Sequence, residues 1–258
     1  MSEPKNLLSL CTTPLKLRIL KALEKPMRIS QIANELGVSR ETVKPHVRSF
    51  VESGLIERRE GKYVLTLVGR IVVKKALEIE ELLTMSEELK EFFTSHELSS
   101  IPEELLEDIH MLSDGFIVRS RDPFEISSEW VSILEDSKWI KGVSPVYHPE
   151  FPPLFTNLAE SRDVTLILTK DVFEKCLKRD YELVKKFLTR GRMLTCEGIK
   201  IAFVVAERGM AMGLYANESY DAANIYVSRS ERAAKWGLRL FEHFHGRAST
   251  VTLNDLYY

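Results

Sequence analysis

Residues 30–54 read SQIANELGVSRETVKPHVRSFVESG, and this stretch decides the fold of the first quarter of the chain. Ser30 stands where a helix cap is expected. Ile32, Ala33 and Leu36 then recur at helical spacing, and Gly37 follows as a residue that accepts a left-handed backbone. Ser39 is placed to cap a further helix that the pattern carries to about Ser53, with Gly54 closing it. The spacing of Ala33, Gly37 and Val43 has a physical reading. A small residue lets two helices approach closely, a glycine makes the sharp turn, and a branched residue pins the second helix to a core. It predicts a helix-turn-helix, the arrangement that lays its second helix in the major groove of DNA.

The flanks agree with it. Thr13-Pro14 is a helix start, Leu15, Ile19, Leu20 and Leu23 follow at helical spacing, and Pro26 stops that helix. Leu55-Ile56 and the alternation through Tyr63, Val64 and Leu65 predict a short hairpin with Glu60-Gly61 at its tip. Helix, helix, tight turn, helix and hairpin make residues 1–66 a winged helix-turn-helix; a three-helix interaction domain is the alternative.

On the helix from 39 to 53, Val43, Val47, Phe50 and Val51 are the expected buried stripe. The opposite face offers Ser39, Arg40, Glu41, Thr42, Lys44 and Arg48. Arginine pairs with guanine edges, threonine touches a thymine methyl or a phosphate, and lysine neutralises phosphate. Pro45 falls in the second turn, where a bend and not a break is expected because the periodicity continues through it. In the hairpin Arg58, Arg59 and Lys62 are placed to reach backbone or minor groove, opposed by Glu57 and Glu60.

Charge sharpens this division. The 258 residues carry a formal net charge of −2, yet residues 1–75 hold 15 Lys and Arg against 7 Asp and Glu. The remainder holds 21 against 31. A basic head on an acidic body suggests that one end meets a polyanion. A composition 44% hydrophobic and 29% charged excludes a disordered chain. Three Cys with no C-x-x-C exclude a disulfide framework and a cysteine-rich zinc site, leaving thiol oxidation as a sensing idea; Cys11, among Leu8, Leu10 and Leu15, reads as packing. No apolar run approaches the roughly 20 residues needed to span a bilayer, and MSEPKNLLSL lacks the features of a signal peptide. No membrane partner and a cytoplasmic location are the expectation.

Thr66 is placed to cap a long helix. Val68, Ile71, Val72, Ala76, Ile79, Leu82, Leu83, Leu89, Phe92 and Phe93 keep a spacing of three and four for about 27 residues, or roughly 40 Å. So long a stripe predicts burial against the second domain, a partner chain or both; a homodimer reading two half-sites is the expectation, and a monomer with the helix folded back on its own body is the alternative.

From about residue 100 strands and helices alternate. Strands are expected at 116–118, 139–143, 164–168, 193–196, 199–205, 210–215 and 224–227, and helices at 101–109, 125–134, 151–160, 172–188 and 232–244. This predicts a three-layer α/β domain with a mixed sheet.

Several ordered motifs run through this half: Ile101-Pro102-Glu103-Glu104-Leu105-Leu106, Gly142-Val143-Ser144-Pro145, His148-Pro149-Glu150-Phe151, Tyr220-Asp221, and Trp236-Gly237 with Leu240-Phe241. On them the chain, from about residue 7 to about 246, resembles the archaeal two-domain transcription regulators whose effector domain is shared with the methanogenesis and filamentation regulators. The resemblance implies DNA binding through the winged helix and a ligand-sensing C-terminal domain. It supplies no catalytic residue, and its effector domain is similar in layout to phospholipase D-like domains.

Catalytic signatures are missing from the sequence. The H-x-K-x-x-x-x-D pattern of phospholipase D fails at His148, which is followed by Pro149 and Glu150, and at His243. No G-x-S-x-G, H-E-x-x-H, G-x-x-x-x-G-K or G-x-G-x-x-G occurs. No cofactor, metal or catalytic residue is therefore expected. A ligand pocket is expected beyond strand ends, where Ser144, Tyr147 and His148 follow one strand and Tyr215, Tyr220 and Asp221 follow another. Structural packing of Tyr147, Tyr220 and Trp236, with His148 capping the next helix, is the competing reading.

The sequence thus predicts a two-domain α+β and α/β protein: a winged helix-turn-helix at 1–66, linker and dimerisation helices at 67–114, and an α/β effector domain at 115–258. Double-stranded DNA, a second copy of the chain, an unknown small-molecule effector and the transcription machinery are the expected partners. A cryptic phosphodiesterase and an effector-independent architectural DNA binder are the rival readings.

Overall fold

The computed structural model describes residues 13–120, 126, 128–135 and 137–257. Cys11 and the expected helix start at Glu125 lie outside them. The chain divides into two compact units, Met1–Thr84 and Met85–Tyr258.

The first unit holds α1 (Pro14–Ala22), α2 (Ile29–Leu36), α3 (Arg40–Glu52), β1 (Ile56–Arg59), β2 (Lys62–Leu65) and α4 (Leu67–Thr84). Its core gathers Ile19, Leu20, Leu23, Ile32, Ala33, Val43, Val47, Phe50, Leu55, Ile56, Leu65 and Val73. Gly37 ends α2 in the left-handed region at φ 68°, as the turn requires. Ser39 caps α3, its Oγ accepting from the Thr42 N–H at 3.1 Å. The α3 helix runs unbroken through Pro45. Glu60 and Gly61 both have positive φ at the two-residue tip joining β1 to β2, the geometry that matches the strands' twist. Met27 and Tyr63 exchange backbone hydrogen bonds of 3.1 and 2.7 Å, which tie the hairpin to the segment before α2. Thr66 caps α4: its Oγ1 accepts from the Gly69 N–H at 3.0 Å and donates to the Gly54 carbonyl at 2.7 Å.

Three local expectations need correction. Ser30 lies inside α2, whose cap position is Arg28; there the Gln31 Oε1 accepts the Arg28 N–H at 2.9 Å. Val51 is 42% exposed, because one residue past buried Phe50 is a rotation of about 100° around the helix. The long helix is two. After Thr84 a new helix, α5 (Glu87–Ser95), starts at Ser86, whose Oγ accepts the Leu89 N–H at 3.3 Å. A strong cap inside a periodic stretch ends one helix and begins another, and periodicity alone does not register it.

The second unit continues with α6 (Glu103–Glu107), a 3₁₀ turn (Ile109–Leu112), β3 (Phe116–Arg119), α7 (Ser128–Glu135), β4 (Trp139–Ser144), α8 (Phe151–Leu158), β5 (Asp163–Leu168) and α9 (Lys170–Leu188). Then follow β6 (Arg192–Thr195), β7 (Ile201–Ala206), β8 (Gly209–Ala216), β9 (Ser219–Tyr220), β10 (Asn224–Ser228), α10 (Glu231–His245), β11 (Ser249–Val251) and a 3₁₀ turn (Leu253–Tyr257). The sheet order is β11-β6-β5-β4-β7-β8-β10-β3, with β9 added to β8. Strands β4, β5 and β6 are parallel, joined by crossover helices α8 and α9, and the other pairs are antiparallel. The sheet is therefore mixed. β6 and β7 follow each other in the chain but are separated in the sheet by β5 and β4. β9 and β11 are additions to the expected strands; both are very short and carry little periodic signal.

Helices cover both faces. One face packs Ile140, Val164, Leu166, Met193, Val204 and Ala211 against α7, α8 and α9. On the other, α10 lies so close that a Cβ on Gly237 would stand 3.0 Å from Met210 Sδ and 3.2 Å from Val205. The Trp236 indole N–H donates to the Leu105 carbonyl at 2.8 Å, which fastens α10 to the α6 turn.

Candidate functional site

In the first unit the expected DNA-facing residues lie on α3, at its cap and on the hairpin strands. Ser39, Arg40, Thr42, Lys44, Arg48, Arg58, Arg59 and Lys62 are all exposed. Buried Val43, Val47 and Phe50 fix the opposite face of α3 to the core and so set which side chains project. Several of the cations are partnered. Lys44 Nζ lies 2.7 Å from Glu41, Arg48 Nε 3.0 Å from Glu52, and Arg59 2.6 Å from Glu57. These pairs are solvated and weak, so a phosphate can replace the carboxylate at small cost.

In the second unit a cavity of about 300 Å³ lies between the central strands and the helices above them. Its floor is made of small residues at inward positions of adjacent strands: Gly142 on β4, Ala202 on β7, Ala211 and Gly213 on β8. Ala202 and Gly213 are direct cross-strand partners, and Gly142 faces Val204. Its roof carries Trp130, Phe151, Phe155 and Phe187. Trp130 and Phe151 are stacked at 5.6 Å, and Phe151 and Phe155 meet edge-on at 5.9 Å. The spaces over Gly142 and Gly213 are taken by Leu166 Cδ2 and the Tyr220 ring, so the room left is over the small Ala202 and Ala211 side chains, beneath the rings.

Of the six residues expected to meet a ligand, Ser144, Tyr147, His148 and Tyr220 line this cavity. Ser144 Oγ donates to the Val146 carbonyl at 2.7 Å and accepts its N–H at 3.2 Å. The Tyr147 hydroxyl donates to Asp180 Oδ2 at 2.8 Å; burial, then this bond, raises its pKa above the usual phenol value. His148 Nδ1 accepts the Glu150 N–H at 3.2 Å, so it both steadies the start of α8 and faces the cavity. Burial raises the Tyr220 phenol strongly.

Tyr215 and Asp221 stand apart from the lining. The Tyr215 ring packs edge-on against Tyr220 at 5.7 Å. Asp221 is held by the His96 Nε2 at 3.1 Å, Asn224 Nδ2 at 2.7 Å and the Ala223 N–H at 2.9 Å. Burial pulls its carboxyl upward, but these bonds together outweigh it and hold the pKa below the usual carboxylate range. Asp221 thus centres a polar brace with His96 and Asn224, and Tyr215 backs the Tyr220 ring.

Sequence reasoning missed the floor and the roof. The available signal was a glycine inside each of two apolar strand runs, Gly142 and Gly213, which marks a close approach or a place kept open. Cys176 also lines the cavity; burial, with Asp180 nearby, pushes its thiol up to about 11, which works against thiolate chemistry there.

Residues 4–87 match the family model of the N-terminal domain, and residues 123–247 that of the middle domain, of methanogenesis regulatory protein FilR1. A curated relative, methanogenesis regulatory protein FilR1 of Methanothrix harundinacea (strain 6Ac), is 29% identical over 260 residues. That match covers 95% of this chain, and the chain spans 58% of the relative's length. Among solved structures, TrmBL2, an archaeal chromatin protein reported to show a novel mode of DNA binding, is 13% identical with a TM-score of 0.44. It is matched over 95% of this chain and 98% of its own. The phospholipase D family member Nuc from Salmonella typhimurium is 8% identical with a TM-score of 0.42, over 54% of this chain and 97% of its own. Both structural likenesses are distant.

Proposed function

The chain belongs to the FilR1 family of methanogenesis regulatory proteins, and from that premise we propose that it is a DNA-binding transcription regulator, dimeric, with a small-molecule effector. In this reading residues 1–66 form a winged helix-turn-helix that reads an operator through α3. Residues 67–114 supply linker and dimerisation helices, and residues 115–258 sense the effector and pass the outcome to the transcription machinery.

The observation that carries the reading is the junction of α2 and α3. Ala33 and Val43 are buried where the two helices cross, Gly37 turns between them, and Arg40, Thr42, Lys44 and Arg48 are left on the outer face. For the dimer, the support is on α4, where Leu67, Val68, Ile71, Ile79 and Leu83 are each more than half exposed. A row of large apolar side chains on one helix favours burial against a second protein surface. For the effector, the support is the cavity over β4, β7 and β8.

A salt titration of binding to duplex DNA tests the reading. Affinity is expected to fall steeply as salt rises, because each neutralised phosphate releases counterion. Salt-independent binding, or an affinity unchanged in the Arg40→Ala/Lys44→Ala double variant, would overturn it.

A further inference from the structure

The cavity permits a chemical class to be assigned to its occupant, an assignment that rests on the effector reading above. We infer that it takes an uncharged, largely apolar molecule whose single hydrogen-bonding group meets the hydroxyl of Tyr220.

The first argument is charge. Among the described residues no Lys, Arg, Asp or Glu lines the cavity, and the His148 imidazole at its edge uses Nδ1 to accept the Glu150 N–H. An ion placed there would lose its water without gaining a countercharge, which strongly disfavours it. A helix N-terminus can replace a cation for an anionic group, and α8 begins at the cavity's edge. Its N–H groups are nevertheless engaged or absent. The Phe151 N–H donates to the His148 carbonyl, the Leu154 N–H donates to the Glu150 carbonyl, and Pro152 and Pro153 have none. Phosphate esters and carboxylates therefore find no receptor here.

The second argument is the state of the polar lining. Ser144, Tyr147, His148 and Thr156 are each bonded to protein atoms: Ser144 to Val146, Tyr147 to Asp180, His148 Nδ1 to the Glu150 N–H at 3.2 Å, and Thr156 Oγ1 to the Leu183 carbonyl at 3.3 Å. The Tyr220 hydroxyl has no hydrogen-bond partner among the described residues. It lies directly over the floor, where a Cβ on Gly213 would stand 2.2 Å from its oxygen. One hydroxyl above an apolar floor and beneath stacked rings selects a ligand with one polar group on a flat or chain-like apolar body. A volume of about 300 Å³ suits a molecule of small size, at the low end of the usual range of about 300–1,000 Å³.

The test uses the full chain and N-phenyl-1-naphthylamine, an uncharged two-part aromatic with one N–H. Saturable binding at one site per chain is expected from its fluorescence, with the charged analogue 8-anilinonaphthalene-1-sulfonate weaker by about tenfold or more. Ala202→Leu projects into the cavity from β7 and is expected to weaken the uncharged probe by about tenfold while the thermal midpoint is kept; Ala202→Val, a smaller intrusion, should weaken it less. Tyr220→Phe is expected to cost about three- to tenfold, the worth of one neutral hydrogen bond. No saturable signal, equal affinity for the charged analogue, or unchanged affinity in folded Ala202→Leu and Ala202→Val would overturn the assignment. DNA affinity measured with and without the probe keeps the two readings apart. A bound probe that leaves DNA affinity unchanged counts against the effector role, whereas failure to bind counts against the cavity chemistry while DNA binding persists.

Discussion

The hydroxyl of Tyr147 donates to Asp180 Oδ2 at 2.8 Å, and Asp180 is the residue at which α9 leaves helical geometry, with φ −133° and ψ 33°. The segment after β4 is thus fastened to the kink of the helix that roofs the cavity. The Arg179 guanidinium also lies 5.5 Å over the Tyr147 ring. Tyr147 therefore joins two walls of one site.

Removing that bond has a defined cost. Tyr147→Phe is expected to destabilise the second unit by about 1–2 kcal/mol, since a partly buried carboxylate loses a donor. Urea unfolding followed by tryptophan fluorescence measures it. An unchanged midpoint would show that water replaces the phenol fully.

A glycine in α4 reverses the usual helix propensity. Gly69→Ala should favour the helix by roughly 1 kcal/mol on propensity alone. A Cβ there, however, would stand 1.9 Å from the Leu55 carbonyl oxygen, a backbone atom that cannot swing aside. The expected outcome is net destabilisation of the first unit by several kcal/mol, seen as a lowered thermal midpoint; stabilisation would contradict the packing of α4 on Leu55.

The surface carboxylates of α3 hold some of its cations. Glu41→Ala is expected to raise affinity for duplex DNA at low salt by a few fold, because the Lys44 ammonium 2.7 Å away loses its competitor. Lys44→Ala should instead lower affinity and reduce the salt slope by about one. Filter binding across a salt series distinguishes the two, and identical slopes for wild type and Lys44→Ala would remove that residue from the phosphate contacts.

Asp221 gives an acid-sensitive contribution. Its folded pKa is held below the ordinary carboxylate value, so the unfolded chain binds the proton more readily. The stabilisation is present above the unfolded pKa of about 3.9 and is lost as pH falls through the lower folded value. Asp221→Asn is expected to flatten the stability–pH curve below about pH 4 and leave its shape at neutral pH unchanged. A curve with the same acid limb would mean that the bonds from Asn224, Ala223 and His96 are not formed in solution.

The order of elements was legible because local signals agreed with one another. Gly37, Ser39 and Gly54 punctuate α2 and α3 as helix-terminus chemistry requires, and the apolar run at Val164–Leu168 matches the buried centre of the sheet. What was hidden depends on distance in space. Ser86 is a single polar residue within an apolar stripe, and only its bond from the Leu89 N–H marks where the helix divides. Ser144, Tyr147 and His148 were found because they follow a strand end directly. Their counterparts on the floor come from three strands, and only pairing such as Ala202 with Gly213 brings them together. Tyr215 and Asp221 were grouped with Tyr220 by proximity in sequence, whereas the chain at β9 directs only Tyr220 over Gly213.

The strand order also has a meaning in time. β4 sits at the middle of the sheet, yet its neighbour β7 is made only after β5, α9 and β6. A growing chain that ends at Thr195 leaves Ile140–Val143 with one side of its backbone unsatisfied, a template for pairing with the wrong strand. Insertion of the β7–β8 hairpin closes that edge and joins the parallel half to the antiparallel half. Refolding should accordingly be slow for this unit and sensitive to protein concentration until the hairpin docks.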